Sequence, residues 1–176
     1  VVASRAIGYA SVTAYEAVVP GMEGHQSLGG QLNDLASLPA LETGQHHWPT
    51  VLNTAQAEIQ RNLFAAAPQP VLDAINALEI SVAAGFDPLH QTVEDRSVER
   101  GLAVADAIWA WALEDGFDVW NNCAYTAPTG AGLWIPTPPA FAAPLQPCWG
   151  ELRPFVLLYA AECSVIPPPA YSEDTG

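Results

Sequence analysis

The chain has 176 residues, of which 50% are hydrophobic and 14% charged. This supports one domain with a real core and excludes a disordered tail. Five Arg and no Lys stand against 19 Asp and Glu, a net charge of −14, so the clustered cations that a phosphate backbone demands are missing and nucleic-acid binding is excluded. No apolar run reaches the roughly 18 residues needed to cross a bilayer.

The first stretch, about 1–18, predicts a helix with Ile7, Ala10, Ala14 and Ala17/Val18 three or four apart on its inward face. Pro20-Gly21 stops it. Residues 21–47 are Gly-rich, with one turn of helix expected around Leu28–Leu35. Pro49 suits the first turn of a second helix, where its missing N–H would be unpaired anyway. The buried stripe there is Leu52, Ala55, Ile59 and Leu63, and Pro68 marks the end.

Pro70 opens a third helix with Val71, Ile75, Leu78 and Val82 inward, ending near Gly85. The fourth has the clearest period: Val98, Leu102, Ala105, Trp109 and Ala112. Thr92-Val93-Glu94-Asp95 resembles its capping box, with Ser97 as the other candidate cap, and Gly116 suits a left-handed terminus. Beyond Gly116 the segment 117–150 is rich in Pro, Gly and Trp and has no period, and the apolar run Phe155–Ala161 fits helix or strand. The fold class expected is all-α: a bundle of about four main helices over 1–116, then a Pro-rich wrapping segment and linker over 117–176. The start at Val1, inside an apparent helix, and the linker-like end at Pro167–Gly176 both predict a piece of a longer protein.

Candidate chemistry is sparse. Adjacent side chains at a helix start diverge, so His46-His47 makes a poor chelate, and His25 and His90 stand alone in loops. Glu94-Asp95 suits a helix N-terminus, whereas Glu114-Asp115 sits at the unfavourable C-terminal end and predicts a cation partner elsewhere. Ser27, Ser97 and Ser164 lack a nucleophile-elbow setting, and the glycines form no phosphate loop. Cys123, Cys148 and Cys163 match no zinc spacing; one disulfide is expected in an oxidising compartment, Cys148–Cys163 or Cys123–Cys148. Among the tryptophans, Trp109 reads as core, while Trp134, Pro136 and Trp149 are candidate pocket or wrapping contacts in the Pro-rich segment.

Several segments together resemble a known family. Ser4-Arg5-Ala6-Ile7-Gly8-Tyr9-Ala10, Tyr15-Glu16-Ala17, Gln26-Ser27-Leu28 and Arg96-Ser97 are similar to the opening part of bacterial vanadium-dependent haloperoxidase-like proteins, in the type 2 phosphatidic acid phosphatase superfamily. Trp134-Ile135-Pro136-Thr137-Pro138-Pro139, Pro147-Cys148-Trp149-Gly150 and Arg153-Pro154-Phe155 continue the match, which keeps its order over nearly the whole chain.

The resemblance implies an all-helical protein whose C-terminal half holds vanadate or phosphate through a Lys and Arg pair, a Ser-Gly-His segment, and a later Arg and His. This chain has no Lys and no Ser-Gly-His, so no catalytic or cofactor-binding residue carries over to it, and no metal ligand is assigned. The implied reading is the N-terminal helical part of such an enzyme. The absent half, or a companion chain, would oxidise halide with hydrogen peroxide or hydrolyse a phosphomonoester. The alternative is a non-catalytic helical assembly subunit that kept the scaffold and self-associates. An exposed apolar face is expected on the first reading, and the missing Met, the cysteines and the family habit point to secretion or the periplasm.

Overall fold

The computed structural model describes residues 2–166 and Pro169; the expected linker and junction at 167–176 otherwise lie outside the described residues. The chain divides into two compact units, Val1–Glu114 and Asp115–Gly176; the expected division lay after residue 116. The all-α class holds: the described residues form five α-helices and contain no strand.

In the first unit, α1 spans Val2–Val18 and closes in a 3-10 turn at Val19–Gly21. The loop that follows forms hydrogen-bonded turns through Leu28 and Leu32 instead of the expected helix, with Leu35 buried. Helix α2 (Trp48–Leu63) starts on Pro49 and α3 (Gln69–Ala83) on Pro70, as their missing N–H groups allow. Helix α2 ends at Leu63, before Pro68 is reached. Helix α4 (Gln91–Leu113) starts one residue before Thr92; its cap is His90, whose Nδ1 accepts from the Thr92 N–H, rather than the Thr92 box or Ser97.

Helix α2 is central and packs against α1, α3 and α4. Its crossing with α4 is close because residue 101 is Gly: a Cβ there would lie 2.7 Å from the Val51 carbonyl oxygen and 3.1 Å from the Ala55 nitrogen. Around this crossing Val51, Ala55, Ile59, Val104, Ala105 and Ile108 are fully buried.

Three expected helix faces are corrected. On α1 the buried side is Ala6, Tyr9, Val12, Thr13, Glu16 and Ala17, while Ile7 is exposed. On α4 the buried side is Ser97, Arg100, Gly101, Val104, Ala105, Ile108, Trp111 and Ala112. That is about a quarter turn from the expected stripe at 3.6 residues per turn, so Trp111 is core and Trp109 is half-buried. On α3 nothing is buried: Val71, Leu78 and Val82 are exposed and Ile75 is half-buried. Polar groups hold α3 to α2 instead. Arg61 Nη1 lies 2.7 Å from Glu79 Oε2 and donates to Asn76 Oδ1, and Asn53 donates to the Glu79 carbonyl.

The second unit is mostly irregular. Gly116 takes the expected left-handed conformation (φ 85°) and opens α5, Phe117–Trp120. The Asp115 carboxylate accepts from the Phe117 N–H and its carbonyl from the Arg153 N–H. Cys123 pairs with Cys148, their Cα atoms 6.3 Å apart, so the Cys148–Cys163 pairing is overturned and Cys163 is an exposed free thiol. The run Phe155–Ala161 is neither helix nor strand: it bends, then enters a 3-10 turn at Ala160–Cys163.

Candidate functional site

The most developed polar constellation sits inside the first unit, where the sequence offers a charged residue on an otherwise inward face. Glu16 on α1 is 1% exposed. Its Oε2 accepts from the Ser27 hydroxyl at 2.8 Å, and its Oε1 from the Leu28 N–H. Arg100 on α4 is 7% exposed, donates to the Pro39 carbonyl, and has a buried Nε with no hydrogen-bond partner. Burial pushes the Arg100 guanidinium below its ordinary range, and the Glu16 charge opposes that shift. A buried cation of this kind is tolerated because a compensating carboxylate lies in the same core. Both groups are sealed from solvent, so the pair organises the 27–39 loop over α1 and α4 and does not offer acid–base chemistry to a substrate.

A second connection joins α1 to α4. The Arg5 guanidinium lies 5.0 Å from the Tyr9 ring centroid and donates to the Ala112 carbonyl at 2.7 Å. Tyr9 meets Trp111 edge-to-face at 5.1 Å, and the Trp111 indole N–H donates to the Asn33 carbonyl. Neither Glu16 nor Arg100 stood out in the sequence as a buried polar group. Glu16 appeared only within the Tyr15-Glu16-Ala17 resemblance, because its partners lie 11, 12 and 84 residues away.

The histidines do not converge. His46 stacks on Trp48 at 5.4 Å, whereas His47 Nδ1 contacts the Thr50 hydroxyl and its ring meets Phe86. His25 and His90 each make local contacts, to the Glu23 carbonyl and the Thr92 hydroxyl. Asp95 accepts from Gln91, and Glu94 shares a cavity of about 270 Å3 with Glu79 and Asp87. Among the described residues, no three His, Cys, Asp or Glu side chains are placed to hold a metal ion.

The second unit contains a groove of about 820 Å3 walled by Tyr125, Leu133, Trp134, Thr137, Pro138 and Leu145. Trp134 thus lines a concave apolar surface, with Pro136 exposed beside it and outside its lining. Trp149 instead lines a separate, narrow crevice together with Phe117, Trp120 and Leu152.

An oxyanion such as vanadate needs cations and N–H donors converging on one point. The arginines do not supply that. Arg61 is held by Glu58 and Glu79, whose hydrogen bonds and charges outweigh burial and raise its pKa. Arg96 donates to the Gln45 carbonyl, Arg100 to the Pro39 carbonyl and Arg5 to the Ala112 carbonyl, while Arg153 belongs to the other unit. Among the described residues of the first unit, the arginines do not converge on one point as the group requires.

The chain is similar to the solved structure of a bacterial vanadium-dependent iodoperoxidase, with 34% identity and a TM-score of 0.82 over 98% of its length. It spans only 40% of that protein's chain. No protein-family model and no curated protein matches the chain. The resemblance read from the sequence thus extends to the three-dimensional fold.

Proposed function

We propose that this chain is the N-terminal helical part of a vanadium-dependent haloperoxidase-like enzyme, with the oxyanion site held by another stretch of the same protein or by a companion chain. The observation that carries this reading is the 34% identity and TM-score of 0.82 to an iodoperoxidase, over 98% of this chain and 40% of that one. Halide oxidation with hydrogen peroxide is favoured over phosphomonoester hydrolysis because the similar structure is a peroxidase. In this reading the chain is a scaffold. Its first unit presents apolar helix faces to the catalytic part, and its Pro-rich unit, through the Trp134 groove, wraps that part. The exposed Ile7, Val71, Leu78, Val82 and Leu113 support an unfilled apolar interface. The Cys123–Cys148 disulfide supports an oxidising compartment, secreted or periplasmic.

The test is made on the intact protein containing this chain, incubated with orthovanadate, hydrogen peroxide and iodide or bromide. Vanadate-dependent halide oxidation that the isolated chain lacks is the expected result. A native assembly built only of copies of this chain, with no polypeptide carrying the Lys, Arg and Ser-Gly-His set, overturns the reading in favour of a non-catalytic scaffold. Phosphomonoester hydrolysis without halide oxidation would move the activity to the phosphatase class.

A further inference from the structure

Every described residue that walls the groove of the second unit, from Tyr125 to Pro147, lies between the two cysteines of the Cys123–Cys148 disulfide. The bridge therefore sits at the neck of the loop that makes the groove. Between 124 and 147 there is no helix and no strand, so no hydrogen-bonded ladder holds the loop in shape. Two turns brace it from within: the Leu133 N–H donates to the Gly130 carbonyl, and the Phe141 N–H to the Thr137 carbonyl. At the neck, the Gln146 side-chain amide donates to the Asn121 side-chain oxygen. One neutral hydrogen bond offsets little of the entropy of closing a loop this long, whereas a covalent bridge removes that cost.

The bridge is also within reach of solvent. Both cysteines are half-buried, and Cys123 lines a separate cavity of about 400 Å3 with Asn122, Pro144 and Leu145. That gives a small dithiol room to approach Cys123, the access on which exchange depends. The 3-10 turns at Trp149–Glu151 and Ala160–Cys163 lie outside the loop and pack on each other, with Ala160 beside Gly150. Their packing does not pass through the bridge.

We propose that the Cys123–Cys148 bridge is a redox clasp. Oxidised, it builds the groove; reduced, it lets the 124–147 loop go slack and abolishes the groove while the turns beyond it stand. The reductant is a small dithiol. The bond between the two Sγ atoms breaks, and each cysteine sulfur takes one of the dithiol's hydrogens. The two dithiol sulfurs join in a disulfide of their own, so two electrons pass to the protein. The groove is complete only under oxidising conditions, and a surface that engages it finds it only there. The clasp concerns this loop alone and stands whether or not the functional reading above holds.

The experiment uses the intact protein carrying Cys163→Ser, which removes the free thiol. It is compared oxidised, reduced with dithiothreitol without denaturant, and reoxidised with oxidised glutathione. Hydrogen exchange read by mass spectrometry should quicken at least ~10-fold across 124–147 on reduction and return on reoxidation. The turn amides of Glu151, Leu152 and Glu162 should change less than ~2-fold, because their bonds lie outside the loop. Cys123→Ser combined with Cys148→Ser should exchange like the reduced protein in every condition, with helicity by circular dichroism unchanged. Unchanged exchange across 124–147 on reduction overturns the clasp. Equal quickening at 151–162 also overturns it, because the bridge would then staple the whole unit. A bridge that dithiothreitol opens only in urea, or protection that does not return on reoxidation, overturns the switch.

Discussion

The carboxylate of Glu16 on α1 and the guanidinium of Arg100 on α4 share one buried core, where the Glu16 charge opposes the lowering of the Arg100 pKa by burial. Glu16 also closes the loop through Ser27 and Leu28, so a single side chain ties together charge balance and chain path.

Removing one member strands the other. Glu16→Ala is expected to destabilise the first unit by about 2–3 kcal/mol, because the Ser27 hydroxyl and the Leu28 N–H lose their acceptor and the buried Arg100 loses a nearby compensating charge. Arg100→Met alone should destabilise less, because a long apolar side chain fills the same space. Urea denaturation of both single variants and the double variant checks this. The double variant should be more stable than the sum of the singles predicts by at least ~1 kcal/mol. Strict additivity would show that the two charges do not communicate.

The α2–α4 crossing depends on the missing side chain at Gly101. A Cβ would press on the Val51 carbonyl and the Ala55 nitrogen, and backbone cannot swing aside. Gly101→Ala should therefore destabilise by about 2 kcal/mol or more despite its better helix propensity, through overpacking. Thermal unfolding reads this directly, and an unchanged or raised melting temperature would contradict the close approach.

Ser97 joins two helices by one hydroxyl, which donates to the Val93 carbonyl at 2.6 Å and accepts from the His47 N–H at 2.9 Å. Ser97→Ala leaves that N–H at the start of α2 without its partner. A loss of about 1–2 kcal/mol is expected. Hydrogen exchange should quicken at the His47 amide while most of α4 stays protected; no change at His47 would sink the assignment.

In the second unit, alkylation of the unreduced denatured chain should label one cysteine, Cys163, and reduction should raise the number to three. Joining residues 25 apart stabilises by about 3.5 kcal/mol on the chain-entropy account. Reduction should therefore loosen this unit while the helical circular dichroism of the first unit persists. Labelling at Cys123 or Cys148 before reduction would refute the pairing.

Local signals in the sequence determined the helices and some of their limits. Pro49 and Pro70 set helix starts because a helix leaves its first N–H groups unpaired, whereas Gly116 takes the expected left-handed conformation but precedes α5, and α4 already ends at Leu113 with Glu114 as its cap.

The tertiary structure alone decided which way each helix faces. Periodicity shows that an apolar stripe exists, but not whether this chain or another covers it. Hydropathy favoured Ile7 over Glu16 as the inward side of α1 and the Val71–Val82 stripe as the inward side of α3. Both were reversed by partners far away in sequence: Arg100 for Glu16, and Arg61 for Glu79. A buried charge becomes tolerable only when its partners arrive, and those arrive through folding. The choice of Cys123 over Cys163 as the partner of Cys148 has the same origin, since a disulfide needs two Cα atoms brought within reach.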